Sequence, residues 1–411
     1  MSASEAGDDA ILTINAGSSS LKFAVYRLGA GDTEPRAALH GQIEGIGTAP
    51  HLLMRDPAGK TIAERRWPAD ADHDYDHLLD SLLRDLESWL HGSPLQMVGH
   101  RVVHGGTRYA APVLVDDAVL GELERLTPLA PLHQSHNLTP IRALRRVRPG
   151  VPQLACFDTA FHRTMPTVAT TMALPRALQD AGMRRYGFHG LSYEFIARKL
   201  RCTAPELADR RLVIAHLGNG ASLCALHRGC SVDTTMGLTG LDGLVMGTRT
   251  GSIDPGALLY LLQAKGMTPA ELEDLLYRRA GLLGISGISS DMRTLLASDD
   301  PHAAEAVELF VFRAAREIAA LGTSLGGLDG IVFTAGIGEN APEIRARIIA
   351  RLGWLGAEID PEANAAGGVV ISTRQSRIDV RILPTDEEAM IGLHCLEQLY
   401  RSATMPAVCG T

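Results

Sequence analysis

The 411 residues are 45% hydrophobic and 21% charged, which fits an ordinary folded protein and excludes disordered and fibrous classes. The formal net charge of −8 offers no basic footprint for nucleic acid. No run of about 18 apolar residues is present to span a bilayer, and the small, acidic opening "MSASEAGDDA" lacks the regions of a signal peptide, so a cytoplasmic protein is expected.

In chain order, the first signal is "ILTINAGSSSLKFAVYRLG" at residues 11–29, two alternating apolar runs around a small polar turn, which predicts a β-hairpin. Its amides and hydroxyls suit a phosphate, but it is neither a Walker loop nor a GxGxxG turn. Further strands are predicted in "MVGHRVV", "PQLACF", "RLVIAHL", "SLCALH", "DGIVFTAGI" and "VRILP". Helices are predicted in "YDHLLDSLLRDLESWL", "YEFIARKL", "PGALLYLLQAKG", "PAELEDLLYRRAG", "PHAAEAVELFVFRAAREIAALGTSLG" and "APEIRARIIARLGWLG". The alternation argues for an α/β protein of about two or three domains.

An internal echo stands out. "LTINAGSSSLKFAVYRLG" and "VIAHLGNGASLCALHRG" share one plan, an apolar strand, a small Gly/Ser turn and a second apolar strand, which suggests a duplicated unit. "FTAGIGEN" adds a third glycine turn between a strand and a helix. Three such turns favour phosphate or nucleotide binding.

Arg101 in "GHRVVHGG" and Arg249 in "MGTRTGSIDP" lie beside glycines, where a guanidinium fork suits phosphate or carboxylate; a solvated surface arginine is the alternative. His189 in "YGFHG" reads as a ligand-facing donor or as a packed core histidine. "HRVVH" lacks the glutamate of HExxH, "HQSHN" lacks supporting ligands, and the six cysteines form no CxxC pair, so no zinc site is indicated. Asp158 in "CFDTAFH" ends a strand and Glu387 in "PTDEEAMI" opens a helix; each reads as a cap or as a magnesium or substrate partner, with Asp386 or Glu388 the better caps.

Taken together, "INAGSSSLKF", "GHRVVHGG", "LAPLH", "FDTAFH", "YGFHG", "HLGNGAS", "MGTRTGSIDP", "GISSDMR", "FTAGIGEN" and "PTDEE" resemble, in order, the motifs of the acetate kinase family, over nearly the whole chain. The resemblance implies an α/β, duplicated actin/Hsp70/sugar-kinase-like fold, with two domains and a central nucleotide cleft, as a homodimer. The domains are expected at 1–158, joined by the segment 387–411, and at 159–386. It also implies Mg²⁺-dependent, reversible transfer of the ATP γ-phosphoryl group to acetate, giving acetyl phosphate and ADP, with Mn²⁺ as a substitute metal. A propionate or butyrate kinase, or a pyrophosphate-dependent variant, is the alternative.

The same resemblance carries roles onto residues. Arg101, Asp158, His189 and Arg249 fall on catalytic positions, and Asn15 and Glu387 on the metal site. Ser18 and Lys22, with Ser20, fall around the phosphates. His216, Leu217, Gly218, Asn219, Gly220, Asp291, Met292, Arg293, Gly336, Ile337, Gly338, Glu339 and Asn340 fall on the nucleotide site, and Val103, Leu132, Phe188 and Gly240 around the acyl pocket. Departures from the usual pattern are Gln134, Ser135, Leu191, Tyr193 and Gly240, the last standing where proline is common. A carboxylate substrate is ionised at neutral pH and needs no general base; what the site must supply is positive charge and fixed donors around the transferring group.

Overall fold

The computed structural model describes residues 9–17, 19–29, 31–68, 75–131 and 133–404. The chain divides into two compact units: one runs through Ala160 and is taken up again at Asp386, and the other is Phe161–Thr385. Among the described residues no helix is long and apolar enough to cross a membrane.

The first unit is built on a sheet of eight described strands: β1 (Asp9–Ala16), β2 (Ser20–Leu28), β3 (Arg36–Glu44), β4 (His51–Arg55), β5 (Thr61–Arg66), β6 (Leu95–Val102), β7 (Val113–Leu114) and β8 (Gln153–Phe157), in the order β5-β4-β3-β2-β1-β6-β8-β7. β1 and β2 are antiparallel, whereas β1, β6 and β8 run parallel. One face packs the helix Tyr75–Leu90 through Leu79, Leu82, Leu83 and Leu86 onto Leu12, Ile14, Phe23 and Val25. The helix Glu387–Thr404 packs against β1 and β6. Its approach depends on Gly99 in β6, where a Cβ would stand 2.4 Å from Ile391 Cγ2 and 2.6 Å from Cys395 Sγ. That contact delivers Glu387, the first residue of the helix, to the end of the sheet.

The second unit repeats the plan. β9 (Arg211–Leu217), β10 (Ala221–His227), β11 (Cys230–Thr234), β12 (Gly330–Thr334) and β13 (Asp379–Ile382) form a sheet in the order β11-β10-β9-β12-β13. β9 and β10 are antiparallel, and β9, β12 and β13 run parallel, matching β2-β1-β6-β8 strand for strand. The long helix Pro301–Leu325 starts on an Asp300 side chain that accepts from His302 N and stops at Gly326, whose φ of 67° few other residues adopt cheaply. Its apolar face, including Val307, Phe310, Val311 and Ile318, lies against β9 and β10.

Two expectations need correction. Residues of "FTAGIGEN" do not form an open glycine turn: Ala335–Asn340 is a short helix, because the Glu339 carboxylate accepts from Ala335 N at 2.8 Å and closes its first turn. The helix expected through "RLGWLG" ends at Ala350, and Gly353–Leu355 follows as a separate 3₁₀ turn.

Candidate active site

In the first unit, strand register gathers the charged residues. Asn15 on β1 is paired with Lys22 on β2, so both stand on one face; Arg101 lies near the end of β6, and Asp158 follows β8, its parallel neighbour. Arg101 Nε donates to Asp158 Oδ1 at 3.0 Å and Nη2 donates to Oδ2 at 2.7 Å, a two-bonded fork. Its Nη1 donates to Asn15 Oδ1 at 3.2 Å and lies 3.5 Å from Glu387 Oε2. Asn15 Nδ2 closes the ring, donating to Glu387 Oε2 at 3.4 Å and to Glu388 Oε1 at 3.2 Å.

The electrostatics are uneven. Burial works against the Arg101 cation, but the carboxylates of Asp158 and Glu387 outweigh it and raise its pKa. Glu387 is pushed upward, first by burial, which Arg101 opposes, and then by Asp158 and Glu388. The carboxylates of Asp158, Glu387 and Glu388 therefore all act on Arg101, while Lys22 adds a smaller pull on Glu387. The excess of hard oxygen donors suits a divalent cation. Among the described residues no group of three or more His, Cys, Asp or Glu side chains is placed to hold a metal. An ion here would take few protein ligands and complete its shell with water and phosphate oxygens, which is the habit of Mg²⁺.

Asp386, rather than Glu387 or Glu388, caps the helix, with its Oδ1 accepting from Ala389 N at 2.8 Å. Val103 is buried, and its N–H donates to Asn137 Oδ1 at 2.9 Å while Asn137 Nδ2 donates to Ala16 O at 2.7 Å. Asn137, which sequence reasoning passed over inside "HQSHN", thus ties the end of β1 to the segment after β6. Gln134, one of the departures, is fully buried and bonds both the N–H and the carbonyl of His104. Ser18 and Leu132 lie outside the described residues; Ser20 begins β2 and accepts through its carbonyl from Gly17 N at 2.7 Å.

In the second unit the β9–β10 hairpin carries His216 and Leu217 on one strand and Gly218, Asn219 and Gly220 in the turn. His189 opens the helix Gly190–Thr203 in a left-handed conformation, φ 57°. Gly187 before it has φ 77°, and a Cβ there would stand 2.6 Å from His162 Cδ2. Phe188 is buried, and His162 Nε2 lies 2.9 Å from its carbonyl oxygen. The His189 and His216 rings stack with centroids 4.2 Å apart. Arg249 Nη1 donates to Gly240 O at 2.8 Å. A Cβ on Gly220 would meet His189 Nε2 at 3.4 Å and Arg249 Nη2 at 3.6 Å, so both groups converge on the glycine turn.

The remaining positions of the second unit divide. Asp291 caps the helix Met292–Leu296 and is held well below the usual carboxylate range, at about 2, chiefly by Arg293, whose exposed side chain folds back onto it. Met292 is buried. Within Ala335–Asn340, Gly336 is exposed with open space where a Cβ would project, while Glu339 also accepts from Thr385 N at 3.2 Å. Asn340 Nδ2 donates to Gly336 O at 3.0 Å. Arg345, absent from the expected site, is 1% exposed and donates to the carbonyls of Gly338, Glu339 and Asn364 and to the Asn364 side chain. Its sequence signal was position: it stands three and four residues before Ile348 and Ile349, on the buried face of its helix. The expected acyl-pocket residues are distributed over both units, Val103 in the first and Phe188 and Gly240 in the second. The side of Gly240 from which a residue would grow faces Arg249 Nη1 at 3.2 Å, so the glycine admits a guanidinium.

A sequence profile of the acetokinase family matches residues 10–393. The chain is 51% identical over 389 residues to an acetate kinase of Rhodopseudomonas palustris, covering 94% of this chain and 97% of that protein. Among solved structures, a propionate kinase from Francisella tularensis is 35% identical with TM-score 0.86, over 94% of this chain and 98% of its own. Porphyromonas gingivalis acetate kinase is 32% identical with TM-score 0.84, over 95% and 100%. The fold is thus the duplicated one of the actin, Hsp70 and sugar-kinase group, and the chain belongs to the acetokinase family.

Proposed function

We propose that this protein is an acetate kinase that moves the γ-phosphoryl group of ATP to acetate reversibly, by direct attack of the carboxylate. The observation that carries the reading is the Arg101–Asn15–Glu387 ring with Asp158 forked onto Arg101, together with the family membership. The nucleophile is already ionised, so the barrier lies in bringing two anions together. Arg101, held by the Asp158 fork, and Arg249, held by the Gly240 carbonyl, supply fixed positive charge to the equatorial oxygens. His189 supplies a ring nitrogen beside Arg249 at the same glycine turn. The glycine turn at 218–220, the Asp291–Arg293 segment and the helix Ala335–Asn340 take the nucleotide, and Lys22 and the turn before it border its terminal phosphates.

Asn15 and Glu387 would hold the divalent cation, Mg²⁺ by the oxygen-donor argument and Mn²⁺ by the same chemistry; when bound it neutralises phosphate charge. The family resemblance assigns Val103 of the first unit, and Phe188 and Gly240 of the second, to the acyl group. A homodimer in the cytoplasm completes the reading, on the family's habit. The domain limits proposed from the family motifs, 1–158 with 387–411 and 159–386, serve as the two halves of the enzyme.

A propionate kinase is the second reading, because the two solved relatives match almost equally well. Trapping product with hydroxylamine tests both: Mg²⁺ and ATP are expected to yield acyl hydroxamate from acetate, with propionate used within about tenfold in kcat/KM, as one methylene discriminates by only ~1 to 3 kcal/mol. ATP hydrolysis without hydroxamate from any short carboxylate contradicts the proposal. A preference for propionate moves it to the second reading.

A further inference from the structure

Four residues around the two stacked histidines form a pattern that the reaction scheme leaves unused. Ser222 on β10 stands directly opposite His216 on β9, so their side chains share a face of the sheet. The first turn of the helix Gly190–Thr203 lies over that pair and contributes Ser192 and Tyr193. Tyr193 is fully buried, and its hydroxyl lies 2.5 Å from Ser222 Oγ, which is itself 2.8 Å from His189 Nδ1. Thr385 Oγ1 donates to Ser192 Oγ at 2.9 Å, and Ser192 Oγ lies 2.8 Å from His216 Nδ1. Each imidazole thus ends a chain of two hydroxyls, and each chain ends on Nδ1.

The direction of each chain follows from its donors. Thr385 gives its proton to Ser192, which leaves the serine proton for His216 Nδ1. A phenol is a stronger donor than an alcohol, and a buried hydroxyl proton requires an acceptor, so Tyr193 donates to Ser222 and the Ser222 proton goes to His189 Nδ1. With Nδ1 accepting, a neutral ring carries its hydrogen on Nε2. Both Nε2 atoms face the same glycine turn: His189 Nε2 lies 3.4 Å from where a Gly220 Cβ would be, and His216 Nε2 lies 3.9 Å from where a Gly218 Cβ would be.

We propose that two hydroxyl relays, Tyr193–Ser222 onto His189 and Thr385–Ser192 onto His216, fix both imidazoles in one tautomer, so that two Nε2–H donors face the turn at 218–220. The opposite tautomer aims two lone pairs at the turn, which repels a phosphate. Tyr193 and Thr385 are then positioning residues: they act on the transferring group only through the rings they orient. The proposal rests on the reading that this turn receives phosphate, but the tautomers themselves do not depend on it. Tyr193, which departs from the usual family pattern, gains a role that sequence alone does not reveal.

The test is nitrogen NMR on the full-length protein labelled with ¹⁵N at histidine, with the two rings assigned by comparison with His189→Gln and His216→Gln proteins. Wild type is expected to show a pyridine-like Nδ1 and a pyrrole-like Nε2 for both. Tyr193→Phe is expected to give mixed tautomers at His189 alone, and Thr385→Val at His216 alone. Each is expected to lower kcat about tenfold with KM for ATP and acetate within about twofold. A pyrrole-like Nδ1 in wild type, or a His189 tautomer unmoved by Tyr193→Phe, overturns the proposal. The wild-type spectrum decides alone should either variant fold poorly. If the tautomers are as expected while His189→Gln keeps full kcat, the relays stand and the catalytic reading of His189 fails.

Discussion

Arg249→Ala is expected to lower kcat by about 10² or more while thermal unfolding stays close to wild type, because its guanidinium is positioned for charge that develops only during transfer. An arginine finger in P-loop GTPases contributes roughly 10³ to 10⁵ in rate, which sets the scale. Arg249→Lys should recover only part of the loss, since an ammonium cannot bond the Gly240 carbonyl and present a planar fork at once. Arg101→Ala is expected to lose as much kcat for the same reason, but it also strands Asp158, which is 1% exposed. Breaking a buried pair from one side costs about 3 to 5 kcal/mol, so Arg101→Ala should unfold at a lower temperature. The double variant Arg101→Ala with Asp158→Ala should regain stability and not activity. Steady-state kinetics beside thermal melts separate these outcomes, and near-normal kcat in Arg249→Ala contradicts its assigned role.

Glu387→Ala is expected to raise the Mg²⁺ concentration for half-maximal activity by about tenfold or more, with the acetate KM within about twofold. A helix cap is the competing role, but Asp386 already holds Ala389 N. Removing a buried carboxylate that Asp158 and Glu388 repel should not destabilise the fold, and Tm is expected to stay within about 3 °C. An unchanged magnesium titration contradicts a metal role for Glu387.

The duplicated plan was legible in the sequence because β1–β2 and β9–β10 are mostly buried and announce themselves as apolar runs around Gly/Ser turns. β5 was not, since "TIAERR" is largely exposed and carries no alternation to read. The helix Gln134–Val147 was hidden by a polar start and by Pro140 inside it. The short helix at Ala335–Asn340 is held by partners outside its own motif: the distant Thr385 N on the Glu339 carboxylate, and the buried Arg345 of the next helix on its last carbonyls. At the site, residue types could be read and their pairings could not. That Arg101 forks onto Asp158, or that a tyrosine reaches His189 through a serine, depends on strand register and helix placement that local sequence does not contain.

Attack of the carboxylate oxygen directly on the γ-phosphoryl group leaves a signature in the stereochemistry at phosphorus. Transfer from ATP whose γ-phosphorus is made chiral with oxygen isotopes and sulfur is expected to reach acetate with inversion, the signature of one in-line displacement. Net retention would show two displacements through a phosphorylated protein group and contradict the account.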